Sequence, residues 1–192
     1  MTITSLIGLV GYKGAGKSSV SAKAIFDPCR SMQALPIHLM NFSNPIYEML
    51  AAIGIPADIL RNKSRWNEPL PILCGKNTRF AATSLGTEWG RDMIGADLWA
   101  NIAIGQVHEL VSRGISVIID NVRFPNEFEL LREQGAQMIA WHRPGLMVDL
   151  SHESERHIAK LQRQCDERFE NIDGEFKLTV DRWHHKLKEL MT

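Results

Sequence analysis

The feature that most constrains this sequence is a glycine-rich loop near its start. The loop reads Gly11-Tyr-Lys-Gly-Ala-Gly16-Lys17-Ser18 and follows the apolar stretch Ser5 to Val10. Its glycines leave room for consecutive backbone N–H groups to turn inward onto phosphate oxygens. A helical pattern follows directly, and this strand–loop–helix context is the one that the motif requires. The loop therefore predicts a site for nucleoside triphosphate phosphates, with a plain glycine turn as the alternative.

The side chains that end the loop predict both cofactors. Lys17 is placed to reach the β- and γ-phosphates, and the Ser18 hydroxyl is placed to bind Mg²⁺. The positive end of the following helix adds to the attraction for an anion. The predicted cofactors are ATP and Mg²⁺, and the predicted cofactor-binding residues are Gly11, Lys13, Gly14, Ala15, Gly16, Lys17, Ser18 and Ser19.

Composition narrows the class of protein and its partners. Hydrophobic residues make up 44% of the 192 residues, and 22 basic residues balance 22 acidic ones. A balanced charge predicts no nucleic-acid and no membrane partner, and no apolar stretch reaches the ~18 residues that span a bilayer. Cys29, Cys74 and Cys165 form no C-x-x-C pair, which argues against a disulfide framework or a thiolate zinc site. We expect a cytoplasmic protein.

Short β-branched runs alternate with helical patterns, which predicts an α/β fold with helices packed on a five-stranded parallel sheet. The predicted strands are Ser5–Val10, Ile37–Phe42, Ile115–Ile119, Gln137–Trp141 and Arg168–Ile172. Helices are expected to begin at Lys17, Pro45, Thr78, Asp97 or Leu98, Pro125 and near Glu175. We predict a single domain with a core of about 1–42, 97–142 and 168–192, an insertion at about 43–96, and a mobile lid at about 143–167. Residues 54–75 are expected to be irregular.

An acidic residue ends the third predicted strand. The run Ser116-Val-Ile-Ile-Asp120 is mostly apolar and leads directly into a carboxylate, which is the arrangement that phosphoryl-transfer enzymes use near Mg²⁺. Asp120 is therefore the second predicted metal residue, beside Ser18. The alternative is that Asp120 caps the turn to the helix at Pro125.

Three further segments resemble the phage-type deoxynucleoside monophosphate kinases: Arg79-Phe-Ala-Ala-Thr-Ser-Leu-Gly-Thr-Glu-Trp-Gly-Arg91-Asp, Asp97-Leu-Trp99, and Asp120-Asn-Val-Arg123-Phe-Pro-Asn-Glu127. The segments His152-Glu-Ser-Glu155 and Asn171-Ile-Asp-Gly also look like that family, although Ser154 and Glu155 receive no role. The resemblance implies a three-layer P-loop kinase fold with a monophosphate-binding insertion and a lid. It also implies transfer of the ATP γ-phosphoryl group to a deoxynucleoside monophosphate, in the host cytoplasm if the chain is phage-encoded.

The resemblance assigns roles to charged residues. Lys17, Asp120, Arg123 and Arg143 are the predicted catalytic residues. Arg123 would hold the acceptor phosphate, where a guanidinium fork suits an oxyanion, and Arg143 would stabilise the transferring group. The predicted substrate-binding residues are Arg79, Arg91, Trp99 and Arg123.

Each assignment has an alternative. Arg79, Arg91 and Arg143 could be ordinary solvated charges, and Trp99 could fill a core. On one α-helix Arg79 and Arg91 would lie about 120° apart, so one helix face cannot present both; if the segment is broken at Gly86 or Gly90, the two could still converge on one phosphate from different elements. Tyr47 and Thr83 depart from the family pattern, which usually has a basic residue and a glutamine there.

Two other functions stay open. The chain could phosphorylate a different small phosphorylated acceptor, such as a phosphomevalonate-like compound, or it could sense ATP without catalysis. The predicted partners are small molecules, ATP and a deoxynucleoside monophosphate, and the prediction leaves a monomer and a homodimer open.

Overall fold

The computed structural model describes residues 5–27, 36–151, 153–172 and 174–191. Its sheet is built from five strands, which run in the spatial order β2-β3-β1-β4-β5, and every neighbouring pair is parallel. The predicted α/β class and five-stranded parallel sheet are confirmed. The strands are β1 (Leu6–Val10), β2 (Ile37–Met40), β3 (Ser116–Val122), β4 (Gln137–His142) and β5 (Glu167–Glu170).

Helices connect these strands, and most of the predicted starts agree with the structure to within a residue. In the described part of the chain no helix has both the length and the apolar character needed to cross a bilayer. The predicted starts at Lys17, Thr78, Leu98 and Pro125 are confirmed. The α-helices are α1 (Lys17–Phe26), α2 (Asn44–Ala52), α3 (Ala57–Arg61), α4 (Thr78–Ser84), α5 (Leu98–Ser112), α6 (Pro125–Glu133), α7 (Glu153–Arg156), α8 (Ile158–Gln162) and α9 (Phe176–Leu190).

Strand β3 corrects the prediction that the third strand stops at Ile119. Gly8 of β1 pairs with Ile119, but Val10 pairs with Val122, so β3 contains one extra residue at this point. A bulge of this kind bends a strand and redirects its side chains without ending the pairing. Asp120 therefore lies inside the strand and not after it. The second and fifth strands also end earlier than predicted, at Met40 and Glu170.

The two faces of the sheet are covered by different helices. Ile7 and Leu9 belong to a buried cluster that includes Val20 of α1 and Trp183 of α9. Gly8 points to the opposite face, because successive strand residues alternate. A Cβ at Gly8 would lie 3.2 Å from Leu131 of α6. The sheet is thus the middle of three layers.

Contacts divide the chain into two compact units. The first unit comprises Met1–Asn41 and Ile104–Thr192, and the second comprises Phe42–Ala103. The predicted insertion, about 43–96, falls within the second unit. This unit has its own apolar core, formed by Ile46, Leu50, Ile55, Ile59, Trp66 and Trp99. Residues 54–75 are less irregular than predicted, because they contain α3 and two short 3₁₀ turns, Lys63–Arg65 and Pro71–Leu73.

A π-helix, Leu85–Ile94, continues directly from α4 in the second unit. The chain is therefore not broken at Gly86 or Gly90: it stays helical and changes its winding at Leu85. π-helices are rare in proteins as a whole, but those that occur are often at functional sites. This segment is therefore of functional interest. The angle of about 120° calculated for Arg79 and Arg91 assumed α-helical winding throughout, so it does not apply.

Candidate phosphate-binding site

The glycine-rich loop, residues 11–16, joins the end of β1 to the start of α1. Gly14 and Gly16 have φ values of 82° and 88°, which L-residues with a side chain rarely adopt. A Cβ at Gly16 would lie 2.5 Å from the Asn171 side-chain nitrogen, and a Cβ at Gly11 would lie 2.6 Å from the Trp141 carbonyl oxygen. The loop therefore requires glycine for its conformation and for close approach by its neighbours.

Side chains from later elements hold the loop in place. The Ala15 carbonyl accepts hydrogen bonds from Trp141 Nε1 at 3.0 Å and from Asn171 Nδ2 at 2.7 Å. Gln162 Nε2 donates to the Trp141 carbonyl at 2.8 Å. Sequence reasoning assigned none of these three residues a function. Asn171 does stand in a family-like segment, whose third residue, Asp173, lies outside the described residues.

Lys17 is buried at the base of the loop. Its Nζ donates to the Gly11 carbonyl at 2.6 Å and to the Tyr12 carbonyl at 2.9 Å. Burial, followed by the neighbouring Arg123 charge, lowers the pKa of Lys17 to about 8, although Asp120 and Glu155 act in the opposite direction. A pKa near 8 leaves this amine mostly protonated at neutral pH. The same interactions show that Asp120, Arg123 and Glu155 all lie close enough to Lys17 to influence its charge.

The bulged part of β3 supplies the acidic side of the site. Asp120 is buried, with 5% of its surface exposed. The Oε2 atom of Glu127 accepts the backbone N–H groups of Arg123 at 2.9 Å and Phe124 at 3.1 Å. Glu127 therefore caps the turn into α6.

Glu155, which received no role from the sequence, links the loop to Arg123. Its Oε1 lies 2.6 Å from Arg123 NH1, and its Oε2 accepts the backbone N–H of Lys13 at 2.9 Å. The Glu155 side chain is only 5% exposed and that of Arg123 is 28% exposed. Its position in a family-like segment was the only signal in the sequence. His152, which begins that segment, lies outside the described residues.

Arg143 brings a third cation to the loop. It directly follows β4, and its NH1 donates to the Gly14 carbonyl at 3.1 Å. The structure thus gathers four residues predicted to be catalytic around one loop: Lys17, Asp120, Arg123 and Arg143. The predicted loop residues Lys13, Ser18 and Ser19 have exposed side chains.

The predicted substrate residues of the second unit lie in different surroundings. Arg79 is exposed, donates through Nε to Asn67 Oδ1 at 2.9 Å, and lies 5.9 Å from the centre of the Trp66 ring. Arg91 NH1 donates to the Ala96 carbonyl at 3.3 Å. Arg79 thus lies on α4 and Arg91 on the π-helix, each with a hydrogen bond to a nearby residue of the second unit.

Trp99 is packed in the core of the second unit. Only 3% of its surface is exposed, and its indole N–H donates to the Gly86 carbonyl at 2.8 Å. A Cβ at Gly90 would come within 2.5 Å of the ring. This packing favours the core role that we considered as the alternative to base stacking.

Two positions of the second unit depart from the family pattern. Tyr47 contacts the Trp66 ring edge-on, with 5.4 Å between ring centres, and Thr83 is exposed.

The donor chemistry in the first unit fits a magnesium ion. Ser18 offers a hydroxyl in the first turn of α1, and Asp120 offers a carboxylate from β3. Both are hard oxygen ligands, which Mg²⁺ prefers, and Mg²⁺ usually keeps several waters beside one or two protein ligands. These two residues could therefore hold the ion together with phosphate oxygens.

Comparison with known proteins shows a similarity to a viral protein over most of the chain. No family model matches the chain. A protein of Acanthamoeba polyphaga mimivirus, named "Putative deoxynucleotide monophosphate kinase", is 26% identical to it over 168 residues, covering 82% of this chain and 83% of that protein. The similarity therefore extends over most of both chains, including residues of both units.

Proposed function

We propose that this chain is a P-loop phosphotransferase that moves the γ-phosphoryl group of ATP to a deoxynucleoside 5′-monophosphate, giving ADP and the diphosphate. The observation that carries the proposal is the cluster around the glycine-rich loop: Lys17 and Arg143 donate to loop carbonyls, and the charges of Arg123 and the buried Asp120 act on Lys17. Similarity to a viral protein named as a deoxynucleotide monophosphate kinase supports a kinase function in general. The family-like segments around Arg91 and Arg123 narrow the proposal to a monophosphate acceptor.

The ATP side of the proposed reaction uses the loop and its cations. The loop N–H groups and the start of α1 would bind the phosphate chain. Lys17 now donates to the Gly11 and Tyr12 carbonyls, and on ATP binding it would exchange these contacts for phosphate oxygens. Arg143, now on the Gly14 carbonyl, would follow the transferring group. When bound, Mg²⁺ would neutralise charge on the β- and γ-phosphates.

The acceptor side depends first on Arg123. Phosphoryl transfer needs positioning and charge neutralisation more than covalent help from the protein, and an acceptor phosphate is already ionised at neutral pH. A guanidinium at Arg123 would bind two of its oxygens and reduce repulsion between the two anions. The family-like sequence around Arg79 and Arg91 adds these two residues as proposed acceptor ligands.

The direct test is to incubate the purified protein with Mg-ATP and, separately, each of the common deoxynucleoside monophosphates, and to measure ADP release. We expect turnover with at least one of them and the matching diphosphate as product. Turnover with another phosphorylated acceptor, but with no deoxynucleotide, would replace the nucleotide assignment. Nucleotide binding without any turnover would favour the ATP-sensing alternative.

A further inference from the structure

Glu155 uses the two oxygens of one carboxylate on two different elements. One oxygen binds the backbone N–H of Lys13 in the glycine-rich loop, and the other pairs with Arg123 NH1. The loop follows β1, and Arg123 follows β3. Since the Glu155 side chain is only 5% exposed and each of its oxygens holds one partner, it links the guanidinium directly to the loop.

The Arg123 guanidinium has a second donor that the protein leaves unused. Its Nε is buried and has no hydrogen-bond partner within the described residues. A buried donor without a partner is uncommon, and it costs free energy unless a hydrogen-bond acceptor is available. Because the guanidinium is planar with donors in a fixed fork, anchoring NH1 on Glu155 also sets the direction of the Nε–H.

We infer that Glu155 is a positioning residue: it anchors Arg123 through NH1, which sets the plane of the guanidinium so that its exposed donors face an oxygen of the acceptor phosphate. The inference deepens the proposed function and rests on it. The carboxylate itself touches no substrate, and its effect on the reaction passes through Arg123. The competing explanation is a buried ion pair that only stabilises the fold, since breaking such pairs is destabilising.

The first measurement compares Glu155→Gln with Glu153→Gln. Glu153 lies on the same short helix, α7, but is exposed, so its substitution removes the same charge without the bridge. We expect Glu155→Gln to lower kcat/KM for the acceptor about tenfold to a hundredfold, the size of effect caused by misplacing a catalytic group. Glu153→Gln should stay within twofold of the wild type. Thermal melting confirms that both variants are folded.

A double-mutant cycle then separates positioning from stabilisation. If Glu155 acts through Arg123, adding Glu155→Gln to Arg123→Ala should change kcat/KM for the acceptor less than twofold, because the residue it positions is gone. If Glu155 affects the reaction by a route other than Arg123, its effect on kcat/KM should persist in the Arg123→Ala background, and that multiplicative result would overturn the inference. If the ion pair only stabilises the fold, Glu155→Gln should lower the Tm and leave kcat/KM unchanged, which would overturn it as well.

A calorimetric version of the cycle keeps the inference separate from the proposed function. A deoxynucleoside monophosphate and, separately, inorganic phosphate are titrated without ATP into the four proteins of the cycle: the wild type, Glu155→Gln, Arg123→Ala and the double variant. Weaker binding in Glu155→Gln, with no further loss in the double variant, supports positioning even if the wild type shows no turnover, and only the proposed function then fails. Turnover together with multiplicative binding losses rejects the inference alone. A wild type that binds neither anion would overturn both.

Discussion

Two arginines proposed to bind the same acceptor are held in opposite ways in the two units. In the first unit Arg123 pairs with the buried carboxylate of Glu155 at 2.6 Å. In the second unit Arg79 is exposed, contacts the neutral Asn67 side chain and lies near the Trp66 ring. The first arrangement orients a guanidinium before any ligand arrives. The second leaves a guanidinium that water also reaches.

The same contrast extends to the surroundings of each arginine. Around the glycine-rich loop, Lys17 and Arg143 donate to loop carbonyls, and Trp141 and Asn171 brace Ala15. The core of the second unit is apolar and aromatic instead. The rate of the chemical step depends on charged groups that are oriented before the substrate reacts. An exposed cation, in contrast, mainly increases affinity for an anionic substrate. We therefore expect substitutions in the first unit to reduce kcat and those in the second unit to raise KM.

The largest effect is expected for Lys17→Ala. The buried amine donates directly to two carbonyls of the loop, so its loss should reduce kcat by about a thousandfold or more, as expected for groups that stabilise charge in phosphoryl transfer. Lys23→Ala is the matched control, because Lys23 lies on the same helix with an exposed side chain that pairs with Asp27 at 3.5 Å. Steady-state ADP release measures both. A folded Lys17→Ala variant with normal turnover would refute the assigned role of the loop.

Arg123→Ala and Arg79→Ala test the comparison itself. For Arg123→Ala we expect kcat to fall about a hundredfold to a thousandfold, since an oriented charge is removed. For Arg79→Ala we expect KM for the monophosphate to rise about tenfold with kcat nearly unchanged. Initial rates over a range of acceptor concentrations separate the two parameters. Equal losses of kcat in both variants would mean that exposure does not distinguish the two arginines.

Gly90→Ala perturbs the second unit without touching the loop. The new Cβ would lie 2.5 Å from the buried Trp99 ring, and such overpacking costs about 1–3 kcal/mol. We expect a lower Tm and a few-fold higher KM for the acceptor, while ATP affinity is unchanged. Gly105→Ala is the control: its Cβ would meet nothing within 4 Å, and alanine favours a helix. If Gly90→Ala weakens ATP binding as well, the second unit does not act on the acceptor alone, and the division of the two substrates between the units is wrong.

Much of the fold followed from the sequence because each element carries a local signal. Pro125 starts α6 as predicted, and the run of apolar residues in β3 was recognised as a strand. The bulge at Asp120 was not predicted, because it results from the pairing of β3 with β1, and a pairing register is not visible in either strand alone. The π-helix was missed for a similar reason. Its glycines suggested a break, but Trp99 packs against Gly90 and the chain stays helical.

The candidate site was predictable where a motif names its residues. The loop and its lysine have a recognisable spacing, and Asp120 and Arg123 lie in a family-like segment. Glu155 also lies in a family-like segment, but its role was not predicted, because its two contacts come from residues 142 and 32 positions away in the chain. The brace formed by Trp141 and Asn171 is equally non-local. Sequence patterns identify side chains that touch a ligand more readily than those that hold other side chains in position.

A last difference between the two units concerns thiol reactivity, and its test needs no substrate. Burial, assisted by Asp166 and opposed by Arg132, raises the pKa of Cys165 in the first unit to about 12, whereas Cys74 in the second unit is exposed. Only the thiolate is nucleophilic, and at pH 8 a pKa of about 12 leaves roughly one Cys165 in ten thousand ionised. Cys29 lies outside the described residues, so the experiment uses a Cys29→Ser background.

With a chromogenic disulfide reagent at pH 8, we expect Cys74 to react at least about a hundredfold faster than Cys165. Adding Cys74→Ser should remove the fast phase and leave the slow one. Because the pKa is raised, the slow rate should still increase about tenfold per pH unit between pH 7 and 9, with no plateau. Comparable rates for the two thiols would show that the surroundings of Cys165 in the first unit do not suppress formation of its thiolate.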